Sequence, residues 1–193
     1  TRISNDKKDN ETISVTLNRL MKIRQLIAYE KVPYTCEIID KCLDQGKKVI
    51  VFTNFTMSLD MLHEKYKKNS VILNGSMSKE KKQESVDRFQ NEDKIKIFIS
   101  NIIAGGVGIT LTAGEVVVMN DLSFVPAHHS QAEDRAYRYG QQNSVLVYYP
   151  VFENTVEKII YNILQKKKNV IDQVMGDGEY SESFSKDLLK SLF

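Results

Sequence analysis

Along the middle of the chain, apolar residues fall in short unbroken runs rather than in alternation. Val49-Ile50-Val51-Phe52, Val71-Ile72-Leu73, Ile95 to Ile99, Val116-Val117-Val118-Met119 and Val145 to Val151 are β-branched or aromatic stretches. Runs of this kind predict strands covered on both faces. Between them the pattern changes to helical spacing. Met57 to Tyr66 carries Met61 and Leu62 inward. Ser78 can cap a helix to about Gln90 with Val86 and Phe89 as its contacts, and Ser130 to Tyr139 reads as a further helix. Strands alternating with helices predict an α/β fold with a doubly wound parallel sheet flanked by helices. In such sheets the working groups gather at the carboxyl ends of strands. Thr53-Asn54, Asn74-Gly75, Ser100-Asn101 and Asn120-Asp121 each follow a strand directly.

The two ends read differently. Residues 1–12 are polar without apolar period and are expected to fray. Leu17, Leu20, Met21, Arg24 and Ile27 then recur at helical spacing as a lead-in helix. Pro33 precedes a second helix, with Gly46 as its stop. Near the other end, Asn154 and Glu157 look like a capping box opening a long bracing helix with a Val156, Ile159, Ile160, Ile163, Leu164 stripe, which Gly176 ends. The division expected is a flexible segment over 1–14, one domain over 15–176 and a tail over 177–193.

Composition narrows the class without naming it. The chain has 193 residues, 41% hydrophobic and 27% charged, enough for an ordinary globular core. A net charge of +2 announces no nucleic-acid partner, so any basic surface must be local, as at Lys79 to Lys82 or Lys166 to Lys168. Cys36 and Cys42 lack metal-ligand spacing and read as reduced thiols of an intracellular protein. No apolar run approaches the roughly 18 residues of a membrane span. The initial Thr1 hints at a fragment, and the abundance of Lys, Asn and Ile leans toward an A/T-rich bacterial or phage genome, with a cytoplasmic location there and a nuclear one in a eukaryote.

The chemistry concentrates in Ser130-Gln131-Ala132-Glu133-Asp134-Arg135-Ala136-Tyr137-Arg138-Tyr139-Gly140-Gln141. On a helix, Gln131, Arg135 and Arg138 share one face. One amide and two fixed, multidentate cations suit phosphate oxygens. Arginine pairs at this spacing are more often solvated or paired with local acids, and Glu133 and Asp134 stand close by. Ala104-Gly105-Gly106-Val107-Gly108-Ile109-Thr110-Leu111-Thr112 is glycine-rich after a strand; it suits close approach of an anion or simply a tight turn. His128 and His129 have no ligand-spaced partner and read as loop or packing residues. No G-x-x-x-x-G-K-[ST] occurs, and no strand ends in a paired Asp-Glu for magnesium. The chain carries parts that complete a nucleotide site and none that founds one.

Three blocks in order carry a resemblance: Lys48 to Phe55; Leu73-Asn74-Gly75-Ser76 with Lys82 to Phe89; and Ile99 through the glycine-rich stretch to Gln141. Together they resemble the second RecA-like lobe of superfamily-two helicases, specifically of the Swi/Snf-type DNA translocases, over roughly residues 15 to 176. The resemblance implies that this lobe closes over ATP, with magnesium, held mainly by a first ATPase lobe. It implies Arg138 as arginine finger, Arg135 assisting at the γ-phosphate, Gln131 orienting the site, and Gly106 and Gly108 beside the nucleotide. It implies DNA-phosphate contacts at Thr53, Gly75, Ser100, Asn101 and Thr112, on double-stranded DNA, and no membrane. Tyr137, Tyr139, Asn101, Val125 and Phe124 depart from the usual pattern. The expected function is the C-terminal motor lobe of an ATP-dependent translocase, inactive alone. The alternative is a non-catalytic nucleic-acid or protein binding module on the same lobe.

Overall fold

The computed structural model describes residues 2–105, 108–141 and 143–171. Its strands are β1 (Val49–Thr53), β2 (Ser70–Leu73), β3 (Ile97–Asn101), β4 (Val116–Met119) and β5 (Leu146–Tyr148). They form one sheet in the order β2-β3-β1-β4-β5, every pair parallel. Val51 lies between Ile99 and Val118, and Thr53 ends β1 opposite Asn101. The helices are α1 (Arg2–Asp44), α2 (Thr56–Lys65), α3 (Lys79–Asn91), α4 (Ile102–Gly105), α5 (Pro126–Ala136) and α6 (Val156–Ile171).

Successive strand residues point to opposite faces, and along β1, β3 and β4 both faces are dry. Ile50, Phe52, Phe98, Val117 and Met119 meet Val86, Phe89, Ala132 and Ala136 on the side of α3 and α5. Val49, Val51, Ile97, Ile99, Val116 and Val118 meet Val32, Cys36, Ile39, Leu59 and Leu62 on the side of α1 and α2. This is the doubly wound sheet that the unbroken apolar runs predicted. Ser78 caps α3 by accepting from the Lys81 N–H, and Gly46 ends α1 in the left-handed region at φ 75°.

Three expectations are corrected. The lead-in is one helix, α1, which continues through Pro33. A proline inside a helix costs about 3 kcal/mol, but Leu20, Ala28, Val32, Cys36, Ile39 and Cys42 are buried on both sides of it. At about 1.5–3 kcal/mol per buried large side chain, packing outweighs the broken turn. Helix α5 stops at Ala136, short of Tyr139. Glu157 does not serve a cap on Asn154: Asn154 takes φ 59°, and the Glu157 carboxylate turns inward to Lys31. Gly176 and the tail lie outside the described residues.

Candidate functional site

The arginines come together by a different route from the one their spacing suggested. Ala132 and Ala136 are small enough to seat α5 on the sheet. At Tyr137 the helix ends. The chain then turns tightly: the Arg138 N–H donates to the Ala136 carbonyl at 3.1 Å, and the Gln141 N–H donates to the Arg138 carbonyl at 2.9 Å. Gly140, at φ 102°, closes the turn. Arg138 is therefore not on the helical face of Arg135. Both guanidiniums nevertheless reach one acceptor, the Ile109 carbonyl, at 3.4 Å from Arg135 and 3.3 Å from Arg138. Arg138 also donates to the Thr110 hydroxyl at 2.9 Å. Ile109 directly follows Gly108, whose φ of 67° favours glycine. The glycine-rich stretch and the arginine pair are thus one locus.

Among the described residues no carboxylate stands within ion-pair distance of Arg138. The neighbouring acid Glu133 is engaged instead by the Tyr149 hydroxyl. Gln131 is exposed, and it is its backbone carbonyl that accepts from Arg135 Nε, at 3.1 Å. Gly106 lies outside the described residues. Tyr137 and Tyr139 flank Arg138, 72% and 103% exposed.

The segment leading to β4 is stitched to the same turn. The Leu111 N–H donates to the Arg135 carbonyl at 2.8 Å. Gln141 Nε2 reaches the carbonyls of Thr112, Gly114 and Ala136 at 3.0, 2.9 and 3.3 Å. Thr112 was expected at a strand end. It lies between α4 and β4 instead, toward the amino edge of the sheet, and its hydroxyl accepts from Gln90 at 3.1 Å.

At the carboxyl edge the predicted phosphate contacts divide. Thr53 and Ser100 are completely buried, so neither hydroxyl faces solvent. The Thr53 hydroxyl donates to Asp121, and the Ser100 hydroxyl donates to the Asn101 carbonyl. Asn101 is half-buried, and its amide holds the Asn54 carbonyl at 3.1 Å. Gly75 is exposed in the loop after β2, where the Asn74 side chain accepts from the Ser76 N–H.

Sequence reasoning missed what lies beneath that edge. Asp121 gathers the Thr53 hydroxyl and both the backbone N–H and the amide of Asn54. Around it sit Arg24, Lys31 and Glu157, all buried. Lys31 pairs with Glu157 across 126 residues. Arg24 donates to the Leu122 carbonyl and lies 4.0 Å from the Phe124 ring centroid. Burial pushes the Arg24 and Lys31 cations below their ordinary pKa values and Glu157 above its own, each offset in part by its opposite charges. The available signal was a cation at a core position of an apolar helical stripe, Arg24 among Leu20 and Ile27. Its partners could not be read from one sequence.

The two histidines pack, as expected. His128 Nδ1 meets the Ser123 hydroxyl at 2.9 Å, and His129 Nε2 accepts from the Ser123 N–H at 3.1 Å. Burial lowers the pKa of His129. Among the described residues no trio of His, Cys, Asp or Glu could hold a metal ion, and no helix is long and apolar enough to cross a membrane.

The sheet, its order and its flanking helices define a RecA-like lobe. Residues 30–140 match the family described as Helicase conserved C-terminal domain. The chain belongs to that family, as the C-terminal lobe of a Swi/Snf-type superfamily-two ATPase. It is 37% identical over 131 residues, 66% of its length, to the Caenorhabditis elegans SWI/SNF-related matrix-associated actin-dependent regulator of chromatin subfamily A-like protein 1 homolog. It is 32% identical over 81% of its length to the ATP-dependent helicase fft2 of Schizosaccharomyces pombe. The chain spans 19% and 12% of the length of those relatives. Among solved structures, the C-terminal part of the Fun30 ATPase domain aligns with a TM-score of 0.67 at 27% identity, over 83% of this chain and 54% of that one. The Sulfolobus solfataricus SWI2/SNF2 ATPase core in complex with dsDNA aligns with a TM-score of 0.69 at 25% identity, over 86% of this chain and 38% of that one. These relatives give the bacterial or phage expectation no support.

Proposed function

We propose that this chain is the C-terminal motor lobe of an ATP-driven translocase on double-stranded DNA, with Arg138 as arginine finger and Arg135 beside it. The observation that carries the reading is the convergence of both guanidiniums on the Ile109 carbonyl, at an exposed turn beside Gly108. A neutral carbonyl is a weak partner for the Arg138 cation. A transferring phosphoryl group, with charge spread over its oxygens, is a much stronger one. A finger supplied across a cleft cancels that charge and is typically worth about 10³ to 10⁵ in rate.

The chain lacks a Walker lysine, and the described residues gather no metal-ligating trio. ATP and magnesium are therefore assigned to the first lobe, and the chain alone is inactive as an ATPase. Gln131, exposed one turn before Arg135, is assigned the orienting role on the same reading. DNA phosphates would meet the carboxyl edge at Gly75 and Asn101, with Asn54 beside them, through amides and backbone N–H groups that hold phosphate without reading bases. A neighbour solved with dsDNA supports the choice of duplex.

The test joins this chain to a Walker-bearing first lobe and measures DNA-stimulated ATP hydrolysis with Arg138 and with Arg138→Ala. A loss of tenfold or less counts against the finger. Robust turnover by the chain alone overturns the division of labour.

A further inference from the structure

We propose that Gln141 is a positioning residue for the arginine pair: its amide holds in one body the turn that carries Arg138 and the strand-ward segment on which both guanidiniums rest. The inference rests on the arginine reading above and deepens it.

Three facts combine. First, Gln141 Nε2 faces backbone carbonyls from two separate stretches of chain, Ala136 at the end of α5 and Thr112 with Gly114 ahead of β4. Its Oε1 accepts from the Asn143 N–H at 3.0 Å, so the amide has one favourable orientation. Second, Arg138 lies between the two anchored points. Its N–H is held by Ala136 and its carbonyl by the Gln141 N–H. Third, the resting place of its guanidinium, Ile109 and Thr110, belongs to the stretch that Gln141 ties down at Thr112 and Gly114. That stretch has little freedom of its own. Gln90 clamps it from α3, accepting from the Ala113 N–H at 2.8 Å. Gly114 sits so close to Ile50 that an added Cβ would stand 2.4 Å from its Cδ1.

The consequence is preorganisation. Arg138 itself is solvent-exposed, so nothing in the core fixes its position. What fixes it is the base of the turn and the carbonyl at the far end of its side chain, and Gln141 bonds to both stretches. Without the amide, the Leu111 N–H to Arg135 carbonyl bond still joins the two stretches, but the tie beside the Arg138 turn is lost and the guanidinium spends less time where charge develops. Such misplacement by about 1 Å can cost about 100-fold in rate. A carboxylate at 141 is worse than a truncation, because it sets an anion against three carbonyl oxygens.

The experiment uses the two-lobe ATPase that contains this chain, read as DNA-stimulated hydrolysis and, for the slow variants, as single turnover with enzyme in excess. Gln141→Ala should lower kcat about 10- to 100-fold while the KM for ATP stays within about threefold. Gln141→Glu should lose at least as much. The deciding arm is the double variant Arg138→Ala with Gln141→Ala. If Gln141 acts through Arg138, the double variant is no slower than Arg138→Ala alone. Rates are compared per folded protein from a thermal melt, and Gln141→Asn, one methylene shorter, replaces the alanine variant if that does not fold. A wild-type kcat in Gln141→Ala, or losses that multiply in the double variant, overturns the positioning role. Full activity in Arg138→Ala overturns the finger reading instead, so the two failures are distinct.

Discussion

The carboxyl edge of the sheet and the turn after α5 are both polar, and they are built on opposite plans. At the edge, Asp121, Lys31, Arg24 and Glu157 are buried and answer one another. At the turn, Arg138 is exposed and touches only a carbonyl and a hydroxyl among the described residues. Charges buried without partners are ruinous, so the edge must be complete before anything binds. An exposed guanidinium costs little to leave on neutral acceptors and gains most when an anion arrives. On the function proposed above, the edge holds the lobe together and the turn acts on a partner. Substitutions should separate the two cleanly, into losses of stability and losses of rate.

The largest separation is expected at Arg138. Arg138→Ala in the two-lobe ATPase should lower kcat by about 10³-fold or more and leave the thermal midpoint of the lobe almost unchanged, as calorimetry would show. Lys31→Met should do the reverse. It leaves Glu157 buried without its cation, at about 3–5 kcal/mol in urea unfolding. The sign of its pH dependence follows from Glu157, whose folded pKa already lies above its ordinary value and rises further without Lys31. A raised folded pKa gives stability that is present below the unfolded value and is lost as pH rises through the folded one. The Lys31→Met deficit thus grows as pH rises toward that raised folded pKa, is complete above it and shrinks toward acid.

A milder test of the edge is Thr53→Val, which keeps shape and removes one donor from Asp121. About 1.5–3 kcal/mol should be lost, and if duplex affinity in a gel-shift titration also falls, the edge positions the loop proposed to meet DNA as well as stabilising the fold. The smallest effect is expected at His129. Burial lowers its folded pKa, so its contribution is present above the unfolded value of about 6.5 and declines as pH falls through the folded one. His129→Phe should flatten, in part, the acid-side fall of the melting temperature. An unchanged slope would mean that the ring is solvated enough to accept a proton.

Much of this was legible. The unbroken runs marked all five strands, and for β1, β3 and β4 the reason is that parallel strands dry on both faces leave that mark, whereas Leu146 and Tyr148 of β5 are exposed. Ser78 and Gly46 did the work their residue types predict. The nearness of Arg135 and Arg138 was expected from residue spacing and is observed, although not by the expected means: the helix stops at Ala136, and both guanidiniums meet at Ile109 rather than on a shared helical face. What remained hidden depends on contacts between distant segments. Pro33 reads as a break, and only burial along α1 overrides it. Glu157 reads as a cap, and only Lys31, on another helix, draws it inward. Thr53 and Ser100 occupy strand ends, and only the packed edge shows that their hydroxyls are closed to solvent.

Tyr137 and Tyr139, left in open water on either side of Arg138, give the protein a reporter of its own. The sequence has nine tyrosines and no tryptophan, so phenol emission is not drowned by indole. Any body that docks over the guanidiniums has to shield those rings. Ultraviolet fluorescence, or resistance to iodide quenching, would register the docking without a dye.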